Sequence, residues 1–217
     1  MARWGMVIDL NRCIGCYACM LACKQEHFLP PAVFWGRVLI GETGKYPAVQ
    51  KQTYPVLCNH CEEAACVEVC PTGATTKRED GVIIIDYDKC VGCRYCMMAC
   101  PYQQRTFYAN DRKQYFPDQG LTELEVLGKQ LHPLQKGTVI KCNFCLERID
   151  EGLRRGLSPG MDREATPACV NACPAKARYF GDLNDPTSEV SKLIAEKKGF
   201  QLHPEFGTNP SVYYVVR

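Results

Sequence analysis

The chain has 217 residues, 46% of them hydrophobic, which suffices for a packed core and excludes a disordered polymer. Its formal charge is only +2, with 26 Lys and Arg spread among 24 Asp and Glu, so no basic block marks a nucleic-acid surface and none is expected as a partner. Sixteen cysteines are the outstanding feature, and their spacing decides among disulfides, zinc and iron-sulfur chemistry.

The N-terminus, MARWGMVIDLNRC, has one Arg and no apolar run of signal length, so the chain reads as one without an export signal of its own. Its most apolar stretches, such as Val82 to Ile85, are strand-length, so no membrane span is expected. GMVIDL reads as a strand and leads into group I: Cys13, Cys16, Cys19 and Cys23, spaced C-x2-C-x2-C-x3-C. Residues 24 to 57, with Pro30-Pro31 and Val33-Phe34-Trp35, read as an ordered loop that packs aromatics as a cap or docking surface. Group II follows at Cys58, Cys61, Cys66 and Cys70, with Asn59 and His60 inside its loop in a packing role. Between Cys70 and Cys90 the segment PTGATTKREDGVIIIDYDK reads as a strand, a turn at Glu79-Asp80-Gly81 and a β-branched strand.

Group III, Cys90, Cys93, Cys96 and Cys100, repeats the spacing of group I. Within it Arg94 and Tyr95 are placed to tune a metal site through charge and hydrogen bonding. In residues 101 to 141, Thr122 and Glu125 form a capping box, opening a helix with Leu124, Leu127 and Leu131 on one face that is expected to cover the core. Group IV is Cys142 and Cys145, then Cys169 and Cys173 after a 23-residue gap. In the tail, Asp185 reads as the cap and Pro186 as the first residue of a helix. Val190, Leu193 and Ile194 point inward, the helix ends at Lys197-Lys198-Gly199, and a last strand spans Val212 to Val216.

Four-cysteine bursts separated by two residues make poor disulfides. Zinc ribbons need two pairs split by a spacer, which groups I and III lack, although group IV alone would pass. The C-x2-C-x2-C-x3-C run with a following Pro is that of bacterial [4Fe-4S] ferredoxins, whose fourth cysteine serves the other cluster of a pair. Cys70-Pro71, Cys100-Pro101 and Cys173-Pro174 fit it, and Cys23-Lys24 is the exception. The segment 81 to 100 echoes 5 to 23, and CNHC with ACVEVCPTGA echoes CNFC with ACVNACPAKA, so the chain is a duplicated pair of motifs. Groups II and III form an inner module. PAKARYFGD after group IV and GMVIDL before group I supply two strands, so groups I and IV close an outer one. The crossed rule then predicts four [4Fe-4S] clusters. Cluster 1 takes Cys13, Cys16, Cys19 and Cys173; cluster 2 takes Cys90, Cys93, Cys96 and Cys70. Cluster 3 takes Cys58, Cys61, Cys66 and Cys100; cluster 4 takes Cys142, Cys145, Cys169 and Cys23. With sixteen thiolates and four oxidised cores the loaded chain would carry about −6.

The expected fold is α+β: two dicluster-ferredoxin-like modules related by pseudo-twofold symmetry, with insertions and a C-terminal helix and strand. The outer module spans 1–28 plus 139–183, the inner 53–108, the insertions 29–52 and 109–138, and the extension 184–217.

MVIDLNRCIGCYACMLACK, PVLCNHCEEAACVEVCPTGAT, DYDKCVGCRYCMMACPY, ACVNACPAKARYFGDLNDP and LHPEFGTNPSVYYV resemble the iron-sulfur subunits of DMSO reductase family molybdenum or tungsten enzymes, over essentially the whole chain. The tail and VFWGRV look most like small subunits of enzymes for polysulfide, thiosulfate, tetrathionate, sulfite or arsenic oxyanions. The resemblance implies an electron-transfer subunit with no catalytic residues, serving a large molybdopterin subunit and a quinone-binding membrane anchor. It also implies a place at the cytoplasmic membrane, on the cytoplasmic face or periplasmic by co-export with a twin-arginine partner. A hydrogenase- or formate dehydrogenase-linked four-cluster subunit, or a free polyferredoxin, would share the cysteines.

Overall fold

In the computed structural model of the chain, which describes residues 1–109 and 114–216, strand β1 (Trp4–Asp9) is buried along its whole length. Both of its faces are covered. Trp4, Met6 and Ile8 join the main core with Phe180, Val212 and Tyr214, while Val7 meets Val190 and Val215 in a second cluster. Residues 110–113, inside the second insertion, and residue 217 lie outside the described residues.

Helix α1 (Ala18–Glu26) carries Cys19 and Cys23. Lys24 then organises the following turn, its Nζ donating to the carbonyls of Leu29, Pro30 and Val33 at 3.2, 2.8 and 3.1 Å. Leu29, Val33 and Trp35 are buried, as the aromatic loop reading expects. Beyond them the chain forms a hairpin rather than a loop, with β2 (Gly36–Thr43) antiparallel to β3 (Gln50–Leu57). Only its base, at Pro55, Val56 and Leu57, is buried. Gly41 in the projecting part and Pro55 in the base mask the strand signal, because glycine and proline are poor strand residues.

The inner segment follows expectation. After α2 (Ala65–Glu68), strands β4 (Thr75–Lys77) and β5 (Ile83–Ile85) pair antiparallel around a turn in which Gly81 has φ +83°. Group III then runs into α3 (Tyr95–Met98). The duplicated sequences take duplicated backbone shapes: Gly15 and Gly92 have φ +68° and +67°, and Tyr17 and Arg94, each just before a helix, have φ +62° and +66°. The helices differ in length for a local reason. Pro101 follows Cys100 and cannot continue a helix, whereas Lys24 lets α1 run on through Cys23.

Short strands β6 (Thr106–Phe107) and β7 (Val139–Ile140) pair antiparallel. Between them α4 (Glu123–Leu131) opens with the expected capping box. Its leucines correct the sequence reading: Leu124 and Leu131 are 50% and 60% exposed, Leu127 is exposed too, and the buried residue is Gly128, packed on Phe28. The helix packs inward through Gly128 against the half-buried Phe28, and its leucines are left exposed.

Helices α5 (Leu146–Arg154) and α6 (Ala168–Asn171) bracket the gap within group IV, and β8 (Arg178–Asp182) follows Cys173. Strand β8 pairs antiparallel with β1, matching Met6 to Phe180 and Trp4 to Asp182. Helix α7 (Glu189–Glu196) starts later than expected. Its cap is Ser188, whose Oγ accepts from Ser191 N, because the Asp185 side chain instead closes a turn onto Thr187. Strand β9 (Val212–Val215) lies parallel to β1 on its other side, so the sheet order is β8-β1-β9. The tail also grips group II: Ser211 N donates to Asn59 O at 2.8 Å and Ser211 Oγ to His60 O at 2.9 Å. The small separate sheets with interspersed helices fit the α+β class, and among the described residues no helix is long and apolar enough to cross a membrane.

Crowding around β1 makes it sensitive to added volume. A Cβ on Gly5 would lie 2.4 Å from Leu183 Cδ1 and 2.7 Å from Ser211 O, while one on Gly41 meets nothing within 4 Å. Gly5→Val is therefore expected to cost about 1–3 kcal/mol or more, seen as a lowered thermal midpoint of the loaded protein, with Gly41→Val close to the parent.

Candidate metal centre

All sixteen cysteines carry free thiols. Cys13, Cys16, Cys19 and Cys173 line one cavity with Arg178, roofed by Val38 and Pro55 of the hairpin. Strand pairing explains the meeting, since β1 ends just before Cys13 and β8 begins just after Cys173. The Cys61 thiol has Cys58, Cys66 and Cys100 as neighbours. The Cys145 thiol has Cys169, Cys23 and Cys142, and the Cys96 thiol has Cys90 and Cys70. Cys142 in turn lies beside both Cys169 and Cys58.

Loop geometry aims backbone donors at several sulfurs. The N–H groups of Thr75, Phe144 and Ala177 donate to Cys70, Cys142 and Cys173 Sγ at 3.4, 3.5 and 3.3 Å. His60, Phe144 and Cys145 take positive φ values of 43°, 60° and 57°, and runs of N–H groups in such turns form anion-binding concavities.

Burial pushes the thiols of Cys61 and Cys142 up to about 12, and those of Cys23 and Cys145 well above the ordinary thiol range, with neighbouring thiolates adding to the effect. Cys70 moves the other way, because hydrogen bonds from Thr75 and Thr72 outweigh its modest burial. Dry, crowded thiols cannot ionise together in water's stead; a cationic metal core lets them do so, releasing their protons. An all-sulfur donor set arranged in groups of four suits iron-sulfur clusters.

Three buried cations stand among the thiols. Arg105 Nη2 donates to Cys66 Sγ at 2.9 Å and Nη1 to Thr75 Oγ1 at 3.3 Å. Arg178 Nη1 donates to Cys169 Sγ at 3.5 Å. Lys141 Nζ donates to the carbonyls of Ile83 and of Cys142, close to Cys58 and Cys66. Burial also holds His27 neutral, its pKa lowered to about 3. With Cys145 as a metal-bound thiolate, which can only accept, the His27 Nε2 at 3.2 Å from its Sγ would carry the proton. His60 is buried in a packing role, its Nδ1 accepting from Ile83 N at 2.9 Å and its ring 3.9 Å from that of Phe144. Arg94 rests on the Phe107 ring at 3.8 Å, and among the described residues the arginines that donate to sulfur are Arg105 and Arg178. A signal for both exists in the sequence, since each stands five residues beyond the cysteine of a Cys-Pro pair, in CPYQQR and CPAKAR.

Residues 49–117 match the 4Fe-4S dicluster domain, and residues 4–25 match a 4Fe-4S binding domain. Across 99% of its length the chain is 46% identical to a Halobacterium salinarum protein provisionally named as the iron-sulfur subunit of a dimethyl sulfoxide reductase, of which it covers 79%. It is 41% identical to a selenate reductase subunit of Mesobacillus selenatarsenatis, over 98% of this chain and 72% of that protein. It is 39% identical to the arsenate respiratory reductase iron-sulfur subunit of a Shewanella species, over 98% and 96%. The chain belongs to the iron-sulfur electron-transfer subunits of the DMSO reductase family. Members of this family carry 4Fe-4S clusters as non-catalytic parts of larger oxidoreductases, and cysteine thiolates are the ligands that such clusters use. When bound, a cluster supplies one-electron redox chemistry; the chain supplies the thiolates, their N–H donors and the buried positive charge.

Removing the metal should therefore strand buried guanidinium groups among neutral thiols, at a cost of about 3–5 kcal/mol for each unpaired charge. Anaerobic chelation is expected to abolish the cooperative thermal transition seen by near-ultraviolet dichroism. A sharp transition in the iron-free chain would contradict this.

Proposed function

We propose that the chain holds four [4Fe-4S] clusters and relays single electrons between a molybdopterin subunit, with molybdenum or tungsten, and a quinone-linked membrane anchor. The cluster sets are those of the crossed rule: Cys13, Cys16, Cys19 and Cys173 in cluster 1; Cys90, Cys93, Cys96 and Cys70 in cluster 2; Cys58, Cys61, Cys66 and Cys100 in cluster 3; Cys142, Cys145, Cys169 and Cys23 in cluster 4. The thiol neighbours support this grouping, and the mutual stacking of the duplicated residues His60 and Phe144 supports a pseudo-twofold axis between two modules. On this reading the inner module is 53–108 and the outer 1–28 with 139–183, the latter completed by the strand at 212–215.

The observation that carries the relay is the grading of exposure. The exposed thiols, Cys16 and Cys93, fall in clusters 1 and 2, and no thiol of clusters 3 or 4 is exposed. Cys19 lies beside Cys169, Cys142 beside Cys58, and Arg105 between Cys66 and Cys96. Electrons thus pass through clusters 1, 4, 3 and 2 in that order or its reverse. Around the two open ends stand Ile14 and Leu21, 64% and 60% exposed, and Val91 and Met98, 68% and 84% exposed. Apolar surface of this kind is what partner subunits cover. The relatives' names, among them selenate and arsenate reductase and sulfite dehydrogenase subunits, support a catalytic partner that acts on oxyanions or sulfur compounds, and on this reading the complex sits at the cytoplasmic membrane.

Gentle anaerobic affinity purification from the native cell is expected to bring with this chain a large subunit containing molybdenum or tungsten bound to a pterin. Recovery of the chain alone, fully reducible by several unrelated enzymes, would identify a free polyferredoxin. A nickel enzyme in place of the pterin subunit would point to hydrogenase.

A further inference from the structure

Among the described residues five surface arginines pair with carboxylates: Arg3 with Glu62, Arg78 with Asp150 and Asp80, Arg148 with Glu26, Arg154 with Glu151, and Arg155 with Glu164. Arg105 and Arg178 are both 6% exposed, and among the described residues neither meets a carboxylate. The polar partners of Arg105 are Cys66 Sγ and Thr75 Oγ1; those of Arg178 are Cys169 Sγ and, at 3.4 Å, Met6 Sδ. A buried charge needs an opposite one, and among the described residues the sulfurs beside each guanidinium supply it once they are metal-bound thiolates.

Each guanidinium touches two cluster sites. Arg178 bonds Cys169, a ligand of cluster 4, and also forms part of the wall of the cavity lined by Cys13, Cys16, Cys19 and Cys173, the site of cluster 1. Arg105 bonds Cys66, a ligand of cluster 3. Through Thr75, whose own N–H donates to Cys70 Sγ, it is tied to cluster 2, and Cys96 of that set lies against it as well.

The geometry points to Arg105 and Arg178 as shared counter-charges, one per module, each stabilising the reduced state of both clusters of its module. This rests on the four-cluster reading given above. Four thiolates and an oxidised core carry about −2, and one electron supplied by the partner enzyme takes a set to about −3. The step makes and breaks no bond and moves no proton, because a guanidinium does not deprotonate in a protein. A fixed positive charge beside the sulfurs favours the more negative state, and net charge and hydrogen bonds to sulfur are what set such potentials. One cation beside two clusters raises both midpoints by similar amounts, so it adds little to the gap between them. Both arginines are positioning residues: they act on the electron through the thiolates.

The test uses the intact complex with Arg105→Gln and Arg178→Gln, read by potentiometric titration under paramagnetic resonance and by iron content. Signals are first assigned with cysteine variants: Cys70→Ser and Cys93→Ser should alter one common signal, and Cys61→Ser a different one. With full iron, Arg105→Gln is expected to lower the midpoints of clusters 2 and 3, and Arg178→Gln those of clusters 1 and 4. Each shift should change the reduced-to-oxidised ratio at least tenfold at fixed potential, about 59 mV for one electron. Arg105→Lys and Arg178→Lys keep the charge and should leave both midpoints within threefold of the parent ratio. A Gln variant that shifts no signal, one signal or all four overturns the proposal. Where a Gln variant sheds iron the Lys variant decides, and two midpoints lowered tenfold despite the retained charge overturn it. Failure of the four-cluster grouping reads differently, as Cys70→Ser and Cys93→Ser altering separate signals, whatever the arginine variants do.

Discussion

One strand holds the two ends of this chain together. Strand β1 leads directly into Cys13, and its antiparallel partner β8 leads directly out of Cys173, so their register delivers two thiols 160 positions apart in sequence to one cavity. On its other edge β1 takes β9, and the segment before β9 reaches the group II loop through Ser211, Asn59 and His60. The separation is a small thermodynamic handicap, since loop closure costs about 0.6 kcal/mol per doubling of length. It is a larger kinetic one: the sheet that joins group I to group IV cannot form until residue 182 has been made.

Sulfur chemistry then explains the unusual interior. Side chains that are rare in cores are buried here, Arg105, Arg178, Lys141 and His27 beside thiols and His60 against Phe144. In an apolar core each would be a fault; around thiolates bound to iron each is a counter-charge, a donor or a neutral spacer. The chain thus couples its fold to its cargo, with the same contacts that satisfy the buried cations also tuning the electron.

The sequence was legible where chemistry is local. Cysteine spacing, the β4–β5 hairpin with its turn at Glu79 to Gly81, and the Thr122–Glu125 capping box need only short-range rules. Harder to read were features set by distant partners. The hairpin of β2 and β3 hid behind Gly41 and Pro55, and the leucines of α4 face outward although their spacing suits a core. Asp185 had every mark of a cap until its side chain closed the turn ahead of it. The parallel pairing of β9 with β1 leaves no trace in periodicity, and Arg105 and Arg178 read as surface residues to any rule that places charge outside, although their common spacing after Cys-Pro was open to view.

If the sixteen cysteines form four complete ligand sets, the metal content of the chain reports them. Chain isolated without exposure to oxygen is predicted to hold about sixteen iron and about sixteen acid-labile sulfide, four of each per set. Stoichiometric zinc without labile sulfide, or iron and sulfide saturating at about twelve or fewer after full reconstitution, would contradict it.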